Sequence, residues 1–150
     1  MSTSRNKRQK IEHVSSISLG YLHSRKGSRK PKHLKRMRVL FDSGCGDTIV
    51  NLELIKDLEQ QQTKKSKWST KGGFFKTNKV CNITFMLPLF HKDKDITWKA
   101  HVDERNPTGC RYDLIVGRDL MAELGMDQKF SEGTMVWDDA EVPYHSSLSS

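Results

Sequence analysis

Residues 39–51 read VLFDSGCGDTIVN, and they set a single carboxylate, Asp42, between an apolar run and two glycines. Val39, Leu40 and Phe41 are strand formers, and Thr48, Ile49 and Val50 begin a second short run of the same kind. An acid that closes an apolar strand and precedes glycine can sit at the floor of a cleft and trade protons with a bound molecule. The same tripeptide is also an ordinary turn, in which Asp caps the local backbone and Gly accepts positive φ. The stretch by itself leaves both open.

Working outward, residues 14–23 (VSSISLGYLH) alternate as a strand, SRKGSRKPKH is a loop with Gly27 and Pro31, and LKRMRVLF resumes the strand that ends at Asp42. A hairpin delivering its second strand to the acid is the economical arrangement. LELIKDLEQ has apolar residues at 52, 54, 55 and 58, which predicts a short helix. QQQTKKSKW is expected to be a polar connector. STKGGFFKTNKV predicts a hairpin with its tip at Gly72 and Gly73. NITFMLPLF and DITWKAHVD are two further strands around the charged turn HKDKD, and ERNPTGCR is a loop. In YDLIVGRDLMAELG a strand stops at Gly117, and a helix of two to three turns follows with Gly125 as its C-cap. MVWDDAEVPY supplies one or two edge strands. Many short strands with two short helices predict a mainly β barrel or folded sheet.

A chain of 150 residues is long enough for one domain, and 35% hydrophobic residues allow only a modest core. Residues 1–40 hold twelve Lys or Arg against one acid, Glu12, a net +11. The other 110 hold fourteen basic and seventeen acidic side chains, a net −3, which accounts for the overall +8. The basic segment attracts RNA, an import receptor or another acidic surface through charge, while Tyr21, its one aromatic, disfavours sequence-specific base stacking. A weak electrostatic RNA contact through residues 1–40 is therefore expected. Cys45, Cys81 and Cys110 are odd in number and lack CxxC spacing, which excludes a disulfide framework and a structural zinc site and suits a reducing compartment. The six histidines, in no metal-binding spacing, are assigned to surface or loop positions, and Trp68, Trp98 and Trp137 to core or dimer packing. No apolar stretch is long enough for a membrane span, and no Walker loop, GxSxG or HExxH occurs. An intracellular, cytoplasmic protein needing no cofactor or metal is expected, with virus-like particles as one setting and nuclear entry left open.

Taken together, Leu40-Phe41-Asp42-Ser43-Gly44-Cys45-Gly46-Asp47-Thr48 and Ile115-Val116-Gly117-Arg118-Asp119-Leu120-Met121 resemble the paired motifs of the retropepsins, the aspartic proteases of retroviruses and long-terminal-repeat retrotransposons. The likeness covers roughly residues 14–144, and the closing MVWDDAEVP looks like protease segments of gypsy-like polyproteins. It implies a mainly β, retropepsin-like half-barrel with one short C-terminal helix, active as a homodimer, between a disordered basic arm (1–13) and a disordered tail (145–150). Peptide hydrolysis by this route needs two carboxylates sharing one proton, and close like charges cannot both ionise. One Asp-Ser-Gly in a chain this short implies that the partner is Asp42 of a second copy.

The resemblance also implies roles for other residues. Asp42 is catalytic. Ser43 and Gly44, with Thr48, Gly117, Arg118 and Asp119, support the active-site loop, Asp119 coming within reach of Thr48 and Gly117 packing against the loop. Thr70, Gly72, Gly73 and Phe74 form a flap over a peptide or polyprotein substrate. Two departures stand out: Cys45 replaces the usual Ala, which implies a narrower cleft or redox sensitivity, and Gly46 replaces an acid able to pair with Arg118. The rival from another class is a catalytically inactive dimerisation module whose basic arm grips RNA or a partner.

Overall fold

The computed structural model describes residues 16–25, 28, 30–70, 73–105 and 112–143, without the side chains of 16, 65–70 and 73–76. The expected arm, the tail, Gly72 and Cys110 lie outside the described residues. The alternating segment forms β1 (Ser16–His23), antiparallel to β2 (Leu34–Phe41) from Ser16↔Phe41 to His23↔Leu34. In β2, Met37 points inward between exposed Arg36 and Arg38, and from Val39 onward every residue is buried. That switch from one buried face to two is what parallel pairing in a sheet interior requires.

The partner of that buried end is β7 (Leu114–Val116), parallel to β2, with β3 (Ile49–Asn51) antiparallel to β7 on its other side. Both three-residue strands are wholly buried; Leu114, Ile115, Val116, Ile49 and Val50 are apolar, and the polar exception, Asn51, has its N–H on Asp113 O and its Oδ1 accepting from Glu53 N. β6 (Asp95–Asp103) runs parallel to β3 and antiparallel to β5 (Gly73–Met86). β5 returns to β1 through Tyr21↔Met86 and Leu22↔Phe85, closing the sheet on itself. β4 (Gln60–Thr70) pairs with β5 as an added edge.

β4 corrects the sequence reading, because QQQTKKSKW is a strand and not a connector. Residues 61–64 are exposed, so no apolar alternation marks them, and a register shift between Gln62 and Ser66 interrupts the ladder. Backbone pairing with β5 supplies the order that side-chain patterning does not. β5 is likewise one continuous strand of 14 residues where two were expected.

The first helix is a single turn, α1 (Leu52–Ile55), whose first N–H groups are met by Asn51 Oδ1 accepting from Glu53 N at 3.0 Å. The second, α2 (Arg118–Leu124), ends at Gly125 in the left-handed region, φ 71°. It leads into an unexpected short strand, β8 (Asp127–Lys129), which makes a three-stranded sheet with β9 (Thr134–Trp137) and β10 (Ala140–Pro143). Met135 and Trp137 of β9 join the main core, where Trp137, Phe90 and Phe41 make a chain of aromatic contacts with centroids 6.1 and 5.9 Å apart. His23 departs from the surface assignment: it is buried, with Nδ1 2.9 Å from Ser28 O and Nε2 3.1 Å from Asp95 Oδ1. Among the described residues no helix is long and apolar enough to cross a membrane.

Candidate active site

Asp42 leaves the end of β2 with its N–H donating to Val116 O of β7 at 3.0 Å. The chain then turns tightly: Cys45 N donates to Asp42 O at 3.0 Å, and Gly44 N donates to Asp42 Oδ1 at 2.9 Å. The carboxylate is half-buried and the backbone at Ser43 and Gly44 is exposed, so one face of the loop is open to a bound molecule. Gly44 is where a side chain would intrude, since a Cβ there would lie 3.1 Å from Asp42 Oδ1.

The loop is held from beneath by the Gly117-Arg118-Asp119 segment. A Cβ on Gly117 would fall 2.6 Å from Asp47 O and 2.8 Å from Cys45 O, so the two backbones can touch only at glycine. No side chain caps α2, and its first free N–H groups are spent on the loop instead, Arg118 N on Cys45 O at 2.8 Å and Asp119 N on Gly46 O at 3.1 Å. Arg118 Nη1 donates to Ser43 O at 2.9 Å. The guanidinium therefore clamps the loop through a carbonyl, at a place where Gly46 offers no carboxylate.

Asp119 is the centre of the support. Its Oδ1 accepts from Thr48 Oγ1 and from Leu120 N, both at 2.7 Å, and its Oδ2 accepts from Thr48 N and from Trp98 Nε1, both at 3.1 Å. Thr48, fully buried, also accepts from Gly117 N at 3.1 Å, so one hydroxyl joins both motifs. Asp42, Ser43, Gly44, Thr48, Gly117, Arg118 and Asp119 thus form one bonded unit. In the expected flap, Thr70 and Gly73 face each other at the last pair of the β4–β5 hairpin; Gly72 and the side chains of Thr70 and Phe74 lie outside the described residues.

Sequence reasoning assigns Trp98 to packing alone. The alternation of DITWKAHVD does set it on the inward parity with Ile96, Ala100 and Val102, but nothing in the sequence signals its bond to Asp119. Cys45 is 2% exposed, packed with Leu40, Ile49 and Ile115, and its Sγ lies 3.1 Å from Asp47 O. Burial pushes its thiol up, so neither narrowing of a cleft nor ready oxidation follows from its position. His101, beside the loop, is pushed down by burial against the pull of Asp47 and Asp119. Among the described residues no three His, Cys, Asp or Glu side chains are grouped to hold a metal ion. A groove of about 600 Å³ opens near the far end of β1, between His23, Asp57, Glu59 and Thr97, and Asp42 does not line it.

A closed mainly β sheet, a strand ending in Asp-Ser-Gly, and a Gly-Arg-Asp segment bonded under it constitute a retropepsin-like fold. One solved structure agrees with that assignment in fold. The retroviral protease-like domain of Ddi1 from Leishmania major superposes with a TM-score of 0.54 over 87% of this chain and 94% of its own, at 13% identity. The EIAV protease complexed with the inhibitor HBY-793 matches at 0.46 over 77% and 92%, with 16% identity. Simian foamy virus (mac) protease matches at 0.40 over 75% and 99%, with 14% identity. No family model matches the chain, and no curated protein matches it by sequence.

Proposed function

We propose that this chain is one half of an aspartic endopeptidase and that the working enzyme is a homodimer with one Asp42 from each copy. The observation that carries the proposal is the bonding of the Asp-Ser-Gly loop: Asp42 is half-exposed, its N–H is fixed on buried Val116 O, and the loop that follows is tied to Arg118 N, Asp119 N and the Asp119 carboxylate through Cys45, Gly46 and Thr48. A catalytic acid requires this combination of an open face and a fixed position. A single chain supplies one such acid, and the chemistry needs two.

In the dimer the two carboxylates share one proton. The ionised one takes a proton from water as the water oxygen attacks the peptide carbonyl carbon, and the protonated one gives its proton to the carbonyl oxygen. The tetrahedral intermediate then collapses as the C–N bond breaks: the carboxyl that took the water proton gives it to the amine nitrogen, and the other carboxylate takes a proton back from a hydroxyl of the diol, which restores the shared proton. Arg118, Thr48, Gly117 and Asp119 hold the loop, while Thr70, Gly72, Gly73 and Phe74 close over the substrate as a flap that excludes water. The substrate class implied by the likeness is a retroelement polyprotein, and the domain itself spans residues 14–144.

The test combines cleavage of a peptide library with analytical ultracentrifugation on wild type and Asp42→Asn. Wild type should cleave best at mildly acidic pH, its specific activity falling on dilution below the dimer dissociation constant. Asp42→Asn should abolish cleavage and keep the dimer. Undiminished cleavage by Asp42→Asn, or specific activity that is unchanged by dilution to a monomeric sample, refutes the proposal.

A further inference from the structure

A dense run of cations on the β1–β2 hairpin takes no part in the hydrolysis proposed above. From Arg25 to Arg38 the sequence contains several cations and no acid. The described residues of the β1–β2 connection are tied down. Ser24 N and Ser24 Oγ donate to His33 O at 2.7 and 2.8 Å, Ser28 Oγ and His33 Nδ1 are 2.6 Å apart, and buried His23 faces Ser28 O. Lys30 and Lys32 flank Pro31 at the 3-10 turn Pro31–His33, and both are exposed.

The outward face of the hairpin continues the array. Arg36 and Arg38 are exposed on β2 while Met37 and Val39 are buried, so the two guanidiniums share a face about 7 Å apart along the strand. Tyr21 is the cross-strand partner of Arg36, and it lies on the outward parity of β1, between buried Gly20 and Leu22. Lys35 pairs with Asp57 and Arg38 with Asp113. Arg25, Lys30, Lys32 and Arg36 make no ion pair with a described carboxylate. The local field is strong enough that Arg25 and Lys32 add to burial in holding the His33 imidazole below its usual value.

We propose that this face docks single-stranded RNA through its phosphates, with Lys30, Lys32 and Arg36 as contacts and Tyr21 beside Arg36 as a flat platform for a base. Guanidinium and aromatic planes are the surfaces on which unpaired bases stack, and a row of cations a few ångströms apart suits a chain with one charge per nucleotide. A tight protein interface adds buried aromatic or apolar anchors to its charges, and stable membrane attachment adds a second, apolar signal. Among the described residues the exposed large hydrophobics are Leu89 and Phe130, and neither lies on this hairpin. Binding is without sequence preference, and it does not depend on the peptidase proposal.

Fluorescence anisotropy of the full chain with a labelled uridine oligomer of about twenty nucleotides tests it. Wild type and Asp42→Asn should bind alike, with affinity falling steeply as salt rises. Lys32→Glu with Arg36→Glu should weaken binding by about tenfold or more and reduce the log–log salt slope by about 1.4, two contacts at about 0.7 each. Lys32→Gln with Arg36→Gln, which keeps the fold with less repulsion, should give a smaller loss in the same direction. Lys56→Glu with Lys99→Glu changes net charge equally at two exposed sites elsewhere and should cost far less. Equal losses in the two charge-reversed pairs would show a response to net charge alone and overturn the proposal. So would displacement of the RNA by polyglutamate of equal charge at the same concentration as by unlabelled oligomer, which assigns the surface to acidic proteins.

Discussion

Asp119→Asn is the substitution on which the support of the loop can be weighed. Here the side chain is asked only to accept: two donors meet Oδ1 and two meet Oδ2. An amide has one oxygen and one NH2 group. If its nitrogen takes the Oδ2 place, Thr48 N–H and Trp98 Nε1–H face another donor. If it takes the Oδ1 place, the Thr48 hydroxyl can turn to accept, and Leu120 N–H is still stranded. Each buried donor left unmet costs about 1–3 kcal/mol, and the surviving bonds lose the strength that the carboxylate charge gave them. The expected destabilisation is about 3 kcal/mol, a fall in Tm of roughly 6–12 °C for a chain of this size.

Urea unfolding followed by circular dichroism measures that loss, and Trp98→Phe locates it. With the indole N–H removed, an amide whose nitrogen takes the Oδ2 place strands one donor instead of two, so in that orientation the two substitutions should be less harmful together than their sum by about 1 kcal/mol. A loss under about 1 kcal/mol for Asp119→Asn would mean that the four bonds are not what holds the loop. A cycle with no coupling would place the amide nitrogen on the Oδ1 side, where Trp98 keeps its acceptor.

Gly117→Ala puts a Cβ against Asp47 O, Asp47 C and Cys45 O, none of which is the free end of a side chain, and should cost about 3 kcal/mol by urea unfolding. Gly125→Ala meets no neighbour and should cost only about 1 kcal/mol, from its left-handed backbone, so equal losses at the two glycines would contradict the steric account. Stability should also be bounded in pH from both sides. Folded His101 is held neutral, so its contribution is full above about pH 6.5 and is lost as pH falls below that value. Folded Cys45 and Cys81 are held protonated, so theirs is full below about pH 9 and is lost above it. The urea midpoint should plateau between those limits, Cys45→Ala should soften the alkaline fall, and a midpoint climbing from about pH 8 to 10 would refute the assignment.

The strands that border the acid were legible because burial dictates their composition. The runs VLF and LIV, and the pair Ile49-Val50, are apolar on both faces because they lie in the sheet interior. β4 was illegible for the complementary reason. An exposed edge strand is held by its backbone, and QQQTKKSKW shows no period of two because neither side of residues 61–64 is packed. β8, three residues of mixed polarity, is determined by the hairpin it completes and not by its own side chains.

The site divides along the same line. Asp42, Thr48, Gly117 and Asp119 could be named from two short motifs because each motif is a contiguous stretch of chain, and the bonds between them, spanning about seventy residues, follow once β2 and β7 lie side by side. Trp98 belongs to neither motif. Its place beneath Asp119 depends on how β6 is carried beside β3, through Ile49↔His101 and Val50↔Val102, a pairing set by the closure of the whole sheet. A residue that acts through a long-range register leaves no local mark. The consequence is that one of the four donors on the Asp119 carboxylate comes from outside both motifs, so Trp98→Phe can weaken the support of the loop while every residue of either motif is kept.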